Sequence, residues 1–299
     1  MASHRKNILV TGAAGLIGRE VVLQLTAQGH TVVGVDNCQR HLNFVPSGTF
    51  IKQDLIDYLK STVNKFDVVY HMAAVNGTTS FYTDPNLVLS TNVMLDLAIF
   101  QFVETNPNTK LIYASSSEVV AGTDTYPTNE LVDITITNIH NPRWSYRLPK
   151  VLSKNYLANS QINYTIVRFF NVFSEHSGNG HFVRDVVSNL RNGKFELFGA
   201  DETRSFCYVT DAVDAMIMIE DLISCDVVNI GSNEEIKIIE AAEIIADALN
   251  ITVDHWNTAP SKIGSVKRRC PDITKLKHYY PTFNPRPFAK TINSIKGLL

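Results

Sequence analysis

Short apolar runs rich in β-branched residues recur through the first half of the chain, separated by stretches in which apolar positions have helical spacing. This alternation is typical of a parallel sheet whose strands are joined by helices on both faces. We therefore predict an α/β fold on a doubly wound parallel sheet, with any ligand at the carboxyl ends of the strands. The predicted strands are Asn7 to Val10, Thr31 to Val35, Val68 to His71, Lys110 to Ala114 and Tyr164 to Phe169.

The second half of the chain has a less regular rhythm and predicts a smaller C-terminal α/β lobe. Helical spacing covers 181–191 and 234–249, and a short strand is expected at 194–198. The run Val227 to Ile230 indicates a strand that rejoins the first sheet. We expect a first domain at residues 1–170, to which the segment 207–233 returns, and a second lobe at residues 171–299.

The stretch Leu87 to Val103 is apolar almost all the way round a helix. A helix that lies on a sheet needs only one apolar stripe, so the excess predicts a second partner. The simplest partner is the same helix of a second copy, which predicts a homodimer. The alternative is a helix buried under the second lobe.

A glycine-rich turn, Thr11 to Gly18, closes the first strand and opens a helix that runs to about Gln28. Gly12 permits the tight turn, Gly15 lets the backbone approach a pyrophosphate, and Gly18 lets helix and strand pack closely. The flanking strand and helix favour a dinucleotide site over a close-packed turn without a ligand.

Asp36 ends the second strand, where a carboxylate accepts hydrogen bonds from the adenosine ribose. The same charge repels a 2′-phosphate, so we predict NAD as the cofactor, although Arg40 would soften that repulsion if its side chain folded back. The alternative for Asp36 is a solvated carboxylate at a strand end.

Tyr146 and Lys150 lie four residues apart in a stretch of helical character, so their side chains share one helix face. An ammonium near a phenol lowers the pKa of the phenol, which suits Tyr146 to act as a general base on an alcohol. Ser115, Ser116 and Ser117 follow a strand at the predicted ligand edge and can orient that alcohol; a capping turn is the alternative. The next residue, Glu118, is expected to be either a proton donor or a solvated acid.

Composition limits the other possibilities. The chain has 299 residues, 44% hydrophobic and 19% charged, and its 27 basic and 29 acidic side chains leave a net charge of −2. We expect no nucleic-acid partner, since the basic cluster at 267–269 is short, and no membrane span. The four separated cysteines predict reduced thiols and no metal site, and the polar start of the chain predicts a cytoplasmic protein.

Taken together, these residues resemble the extended short-chain dehydrogenase/reductase family, and within it the nucleotide-sugar epimerases, dehydratases and decarboxylases, which have a Rossmann sheet. The resemblance spans nearly the whole chain. It rests on the glycine-rich turn, Asp54-Leu55, His71 to Ala74, Asn92-Val93, the serine run, the Tyr146/Lys150 pair, Arg168 to Val172, Arg204 to Asp211, Asn229 to Ser232 and Pro271 to Lys275.

The resemblance implies roles for particular residues. The catalytic set is Tyr146, Lys150, Ser116 and Glu118, with Ser117 as an alternative to Ser116. The implied NAD-binding residues are Gly12, Gly15, Leu16, Ile17, Gly18, Asp36, Asn37, Asp54, Leu55, Met72, Ala73, Ala74, Asn92, Tyr146, Lys150 and Phe169. The implied substrate-binding residues are Asn76, Ser116, Ser117, Asn171, Arg204 and Lys262.

Some positions depart from the family pattern. Pro149 removes a helical hydrogen bond beside Lys150 and is expected to kink the helix and turn Tyr146 away from Lys150, unless it lies in the first turn. Lys262 stands where many relatives have an arginine, so it offers a point charge instead of a bidentate fork.

The resemblance also implies the reaction: Tyr146 takes a proton from the sugar hydroxyl at C4 while NAD accepts the hydrogen. We predict a nucleotide-sugar 4-epimerase, because that outcome needs the fewest specialised groups and no carboxylate pocket is recognisable in the sequence. One alternative is a decarboxylase, which the run Ser115 to Val119 and the approach Asn141 to Tyr146 both resemble. A second is a 4,6-dehydratase, which the same run also resembles, although Ser117 replaces the aspartate of those enzymes and counts against dehydration. A third is a dinucleotide sensor without catalysis.

Overall fold

The computed structural model describes residues 5–39, 48–178 and 180–299, and these form thirteen strands, ten α-helices and one short 3-10 helix. The strands are β1 (Asn7–Thr11), β2 (Thr31–Asp36), β3 (Thr49–Lys52), β4 (Val68–His71), β5 (Lys110–Ser116), β6 (Asn163–Phe169), β7 (Val172–Phe173), β8 (Glu196–Phe198), β9 (Thr203–Ser205), β10 (Cys207–Tyr208), β11 (Asp226–Ile230), β12 (Glu235–Lys237) and β13 (Asn257–Ala259). The α-helices are α1 (Leu16–Ala27), α2 (Leu55–Ser61), α3 (Thr78–Thr83), α4 (Pro85–Glu104), α5 (Trp144–Ala158), α6 (Phe182–Arg191), α7 (Val209–Met218), α8 (Ile238–Ala248), α9 (Thr274–Tyr279) and α10 (Phe288–Ile295), and the 3-10 helix is Ser117–Val120.

Seven parallel strands form the central sheet in the order β11-β6-β5-β4-β1-β2-β3. The chain runs outward from β1 to β3, then returns to place β4 on the other side of β1. This reversal opens a crevice at the carboxyl ends of β1 and β4, the usual place for a ligand in such a sheet. The predicted doubly wound α/β fold is confirmed.

Helices cover both faces of the sheet. Ile8 and Val10 belong to a core that also includes residues of α1, α6, α7, α8 and α10, whereas Leu9 between them belongs to the core under α4 and α5. This alternation along β1 is what a strand buried on both sides requires.

The second lobe rests on three short strand pairs, β7 with β10, β9 with β12, and β8 with β13. The helices expected at 181–191 and 234–249 correspond to α6 and α8. The strand expected at Val227 to Ile230 is the core of β11, which pairs with β6 at the edge of the main sheet. The chain therefore enters the second lobe after β6, returns to the central sheet at β11, and then continues into β12 and the segments that follow it.

Helix α4 buries two polar side chains and exposes two large apolar ones. Asn92 and Asp96 are buried against the protein, while Leu87 and Met94 are 55% and 57% exposed. The alternative of burial under the second lobe therefore does not hold at these two positions. With 20 residues and a mean hydropathy of 1.4, α4 has the length and composition of a helix that could cross a membrane, and it packs against α2, α3 and α5 within the fold.

Candidate active site

A cleft of about 1160 Å³ lies along the carboxyl ends of the central strands, between the sheet and the second lobe. It brings together residues predicted from distant parts of the sequence. Lining it are Gly12, Gly15, Leu16, Ile17, Gly18, Asp36, Asn37, Asp54, Leu55, Met72, Ala73, Ala74, Asn76, Ser116, Ser117, Glu118, Tyr146, Lys150, Phe169, Asn171, Arg204 and Lys262.

The glycine-rich turn has the geometry of a dinucleotide cradle. Gly12 has a φ of +65°, and a Cβ there would lie 2.7 Å from the backbone of Ala73. A Cβ on Gly15 would lie 3.1 Å from the carbonyl oxygen of Gly12, and one on Gly18 would overlap that same oxygen. Only glycine fits this turn, which leads into the N-terminus of α1, so the residues present fit a bound pyrophosphate.

Asp36 is fixed at the far end of this cradle. Its carboxylate accepts hydrogen bonds from the backbone N–H groups of Ala14 at 3.1 Å and Cys38 at 2.7 Å. These two donors hold the carboxylate at the cleft wall, where an adenosine ribose would lie. Arg40 lies outside the described residues.

Asn92 is the exception among the expected cofactor-binding residues. It is buried and does not line the cleft. Its side chain accepts a hydrogen bond from Val75 N at 2.8 Å and donates one to Val75 O at 3.0 Å. Both hydrogen bonds hold the loop after β4, which forms part of the cleft wall. A direct contact between Asn92 and the cofactor stays a prediction.

Tyr146 and Lys150 both lie in α5 and both line the cleft. Pro149 is the sixth residue of α5, beyond the first turn, yet the helix continues through it to Ala158. The proline therefore does not break the helix or remove either side chain from the cleft. The ring of Tyr146 stacks on that of Phe81, with centroids 5.0 Å apart, so α3 supports the phenol from the side.

Lys150 is almost completely buried, and its ammonium lies 3.6 Å from Oδ1 of Asp96 and 4.5 Å from the ring centre of Tyr113. Burial lowers the pKa of Lys150, and the Asp96 carboxylate acts in the opposite direction. A buried ammonium with one nearby carboxylate retains a strong local field, since little water screens it.

The serines after β5 also lie at the cleft. Ser116 accepts a hydrogen bond from Glu118 N at 3.2 Å through its side-chain oxygen, which caps the 3-10 helix, while its hydroxyl hydrogen stays available. Ser117 lines the same cleft but is only 3% exposed. The choice of Ser116 over Ser117 as the catalytic hydroxyl stays a prediction.

Glu118 differs from the expectation that it donates a proton or lies in solvent. It is buried, and three arginines surround it: Arg269 at 2.8 Å, Arg147 at 3.1 Å, and Arg143, which contacts both carboxylate oxygens. Together they hold the pKa of Glu118 far below its usual range, despite burial. Glu118 is therefore a fixed carboxylate and has no proton to donate near neutral pH.

The remaining predicted substrate residues line the outer part of the cleft, and several already have local partners. The Arg204 guanidinium pairs with Glu202 at 2.8 Å, and burial lowers its pKa to about 10. Asn171 has a φ of +38° and donates its side-chain amide to Ser205 O at 2.8 Å. Lys262 is exposed, with its ammonium 5.5 Å from the ring centre of Tyr82.

The arginines around Glu118 were not assigned to the site from the sequence. Arg143 lies in the approach to Tyr146 that resembles decarboxylases, and Arg269 lies in the short basic cluster that composition alone dismissed. Arg143, Arg204 and Arg269 all line the cleft. In the described part of the chain, no group of three or more His, Cys, Asp or Glu side chains is placed to hold a metal ion.

Comparison with known proteins agrees with this geometry. The family model for the NAD-dependent epimerase/dehydratase family matches residues 8–231. A UDP-N-acetyl-α-D-glucosaminuronate decarboxylase of Bacillus cytotoxicus is 30% identical over 91% of each chain. UDP-glucuronic acid decarboxylase 1 of Danio rerio is 28% identical over 91% of this chain and 68% of its own.

Solved structures extend the comparison to the fold. A UDP-N-acetylglucosamine 4-epimerase from Methanobrevibacter ruminantium, in complex with UDP-N-acetylmuramic acid, superposes with a TM-score of 0.83 at 26% identity, covering 97% of this chain and 96% of the other. The family match extends from the glycine-rich cradle through Tyr146 and Lys150 to β11. The chain therefore belongs to the NAD-dependent epimerase/dehydratase family, and its cofactor is NAD.

Proposed function

We propose that this protein is an NAD-dependent decarboxylase of nucleotide-linked uronic acids, acting through oxidation of the sugar at C4. The observation that carries the proposal is the cluster of three guanidinium groups around the single carboxylate of Glu118, two of which, those of Arg143 and Arg269, line the cleft. The support for the C4 oxidation itself is the presence of Tyr146, Lys150 and Ser116 in that cleft.

The cluster favours a substrate with an additional negative charge. Three arginines against one carboxylate leave two positive charges in excess. The nearby Arg204 is not counted, because it already pairs with Glu202. Buried guanidinium groups gain most from a partner that accepts paired hydrogen bonds, and a sugar carboxylate is such a partner. A neutral hexose would leave the excess charge facing the cleft without compensation.

The chemistry of a uronic acid explains why decarboxylation follows oxidation. Tyr146 as phenolate accepts the C4 hydroxyl proton, Ser116 orients that hydroxyl, and the Lys150 ammonium favours the phenolate. The redox chemistry is supplied by bound NAD. A ketone at C4 makes the C6 carboxylate part of a β-keto acid, so the C5–C6 bond breaks with loss of CO2, its electron pair passes to the C4 carbonyl, and C5 then takes a proton.

A 4-epimerase, the reaction predicted from the sequence, is the second candidate. The sequence offered no carboxylate pocket, and the arginine cluster now provides a candidate for one. The same cluster nevertheless supports epimerisation of a uronic acid, because a guanidinium that stabilises the carboxylate also opposes loss of CO2. The C4 oxidation is common to both reactions, and the named relatives include both decarboxylases and a 4-epimerase.

Within this proposal, residues 1–170 with the segment 207–233 bind NAD, and residues 171–299 bind the nucleotide sugar. The proposed cofactor-binding residues are those expected from the sequence that also line the cleft, which are all of that set except Asn92. Asn76, Asn171, Arg204 and Lys262 remain the proposed contacts for the sugar and its diphosphate. Glu118 is proposed to organise the arginines and not to transfer a proton.

The product of purified protein with NAD tests the proposal. We expect UDP-glucuronate or UDP-N-acetylglucosaminuronate to lose CO2, detected by mass spectrometry of the nucleotide sugar, and the neutral counterparts UDP-glucose and UDP-N-acetylglucosamine to be poor substrates. A uronic acid returned as its 4-epimer would select the second candidate. If only neutral sugars were turned over, the assignment of a uronic acid substrate would be overturned, and their 4-epimers as products would select the 4-epimerase predicted from the sequence.

A neighbouring pair of arginines tests the role of the cluster. Arg269→Met removes a cleft-lining guanidinium, and we expect kcat/KM for the uronic acid to fall at least about tenfold. Arg268→Met removes the adjacent guanidinium, which pairs with Glu235 and does not line the cleft, and should leave kcat/KM unchanged. Equal effects of the two variants would argue against a carboxylate site at the cluster.

A further inference from the structure

Behind the cleft, a buried network joins α4 to the catalytic helix. At its centre is Asp96, whose Oδ1 receives His71 Nε2 at 3.0 Å and lies 3.6 Å from the Lys150 ammonium. Its Oδ2 receives the hydroxyls of Tyr113 at 2.5 Å and Ser153 at 2.8 Å. All five side chains are at most 2% exposed. Water therefore does not solvate the Asp96 carboxylate, and these four groups supply its hydrogen bonds and its counterion.

The hydrogen bonds define where the protons lie. Ala73 N donates to Thr11 Oγ1 at 3.2 Å, and Thr11 Oγ1 lies 2.8 Å from His71 Nδ1. Since an ionised carboxylate only accepts, His71 donates from Nε2 to Asp96, and Nδ1 accepts from the Thr11 hydroxyl. Burial lowers the pKa of His71 and raises that of Tyr113, so both are neutral at neutral pH. Lys150 is then the one cation among the described groups that faces Asp96.

We propose that Asp96 is a positioning residue that keeps Lys150 protonated and in place behind Tyr146. A buried ammonium without a counterion loses its proton readily, since nothing compensates its lost hydration. Asp96 supplies the counterion, and it also holds the hydroxyl of Tyr113, whose ring lies under the ammonium. Asp96 therefore pairs with Lys150 directly and also fixes the aromatic ring next to its ammonium.

The groups that face Lys150 make the pH dependence specific. They are Asp96 from α4, His71 from β4 and Tyr113 from β5, and Tyr146 lies one turn earlier on α5. Asp96 alone among them is charged near neutral pH before Tyr146 ionises. Removing its charge lowers the pH at which Lys150 becomes neutral, and a neutral amine no longer favours the phenolate of Tyr146. The effect is thus a loss of activity on the alkaline side.

The test is the pH profile of kcat for Asp96→Asn, and it rests on the proposed function because it needs turnover. We expect the alkaline limb to move down by about 1–3 pH units relative to the wild type. Asp84→Asn, which removes an exposed carboxylate at the N-terminus of the same helix, should keep the wild-type profile. A uniform loss of kcat with an unmoved alkaline limb would reduce Asp96 to a structural role and overturn the proposal.

A second measurement does not depend on turnover, so failure of the proposed function remains distinguishable. In a double-mutant cycle of Asp96→Asn and Lys150→Met, we expect the double variant to lose less stability than the two single variants together, because it leaves no unpaired buried charge. Additive losses would contradict the pairing. If Asp96→Asn alone does not fold, folding of the double variant supports the pairing, and its failure to fold contradicts it.

Discussion

Tyr146 is the residue on which the proposed chemistry depends most directly. It lines the cleft on the same helix as Lys150. Tyr146→Phe removes the hydroxyl that accepts the proton and keeps the ring that stacks on Phe81, so we expect kcat to fall about 10²–10⁴-fold while NAD binding is retained. Steady-state kinetics and NAD titration measure the two effects.

A tyrosine on the same helix provides the comparison. Tyr156→Phe removes a hydroxyl that bonds Glu104 at the surface and should leave kcat unchanged. If Tyr146→Phe also kept its turnover, catalysis by the phenol would be excluded. A protein that binds NAD but turns over no substrate in either form would match the dinucleotide sensor considered from the sequence.

The lowered pKa of Glu118 predicts that part of the free energy of unfolding is lost in acid. Its pKa is depressed in the folded protein by Arg269, Arg143 and Arg147, so its stabilising effect is complete above the unfolded value of about 4.3 and disappears as the pH falls below it. We expect Glu118→Gln to cost on the order of 3 kcal/mol at pH 7, since it leaves two buried guanidinium groups and the mostly covered one of Arg269 without their carboxylate. Urea denaturation between pH 7 and pH 3 should show the difference from wild type narrowing below about pH 4.3.

An exposed glutamate separates this effect from general acid destabilisation. Glu243 lies on the outer side of α8, and Glu243→Gln should follow the wild-type curve at every pH. If the stability difference between Glu118→Gln and wild type stayed constant across the same pH range, folding would not lower the pKa of Glu118 as assigned.

These residues also show how far sequence could predict the site. Gly12, Asp36, Tyr146 and Lys150 belong to motifs that can be recognised along the chain, so the sequence could propose them, and the fold brings all four to the cleft. The state of Glu118 depends on Arg269, which is far away along the chain and reaches it only after the second lobe packs on the sheet. Asp96 was hidden inside a stretch that looked uniformly apolar, because a single buried carboxylate changes the average hydropathy little.

At the scale of elements, the longer strands and helices were predictable because their burial follows a local period. Strands β1, β2, β4, β5 and β6 lie within a residue or two of the predicted runs. The pairs formed by β7 with β10, β9 with β12 and β8 with β13 consist of strands of two or three residues, and each pairing joins distant segments. No local pattern specifies such pairs, which form because the second lobe brings the segments together.

One side chain of helix α4, that of Asn92, holds the loop that forms part of the wall of the proposed cofactor site. Asn92 holds both polar backbone groups of Val75, so Asn92→Ala leaves a buried N–H and C=O without partners and loosens the loop after β4. We expect weaker NAD binding by about tenfold, although Asn92 itself does not line the cleft. Titration with NAD measures this change.

Asn86→Ala, at an exposed position on the same helix, should keep the wild-type affinity for NAD. Unchanged affinity in Asn92→Ala would mean that the loop keeps its position through its other contacts. The loop position was beyond sequence analysis, since the motif residue Asn92 indicated a cofactor role but not that this role passes through Val75.

At the scale of the whole molecule, the two lobes are joined by one continuous core. The cluster that includes Ile8 and Val10 of the central sheet extends through α6 and α8 to Ile292 of α10. Because packed cores resist deformation, the two sides of the cleft are held in a fixed relation. The arginines from both sides can therefore meet Glu118 in one arrangement.

The outer side of α4 leads to a prediction about assembly. Met94 on α4 and Leu152 on the adjacent α5 are 57% and 45% exposed and lie on the sheet face opposite α7. We propose that a second copy covers this surface, as the sequence predicted, because two identical apolar faces related by a twofold axis complement each other. Light scattering after size exclusion should give twice the monomer mass.

Met94→Glu should lower the measured mass to that of the monomer. Leu222→Glu, at a similarly exposed position after α7, should keep the mass of the dimer. A wild-type protein that is a monomer at micromolar concentration would contradict this assembly.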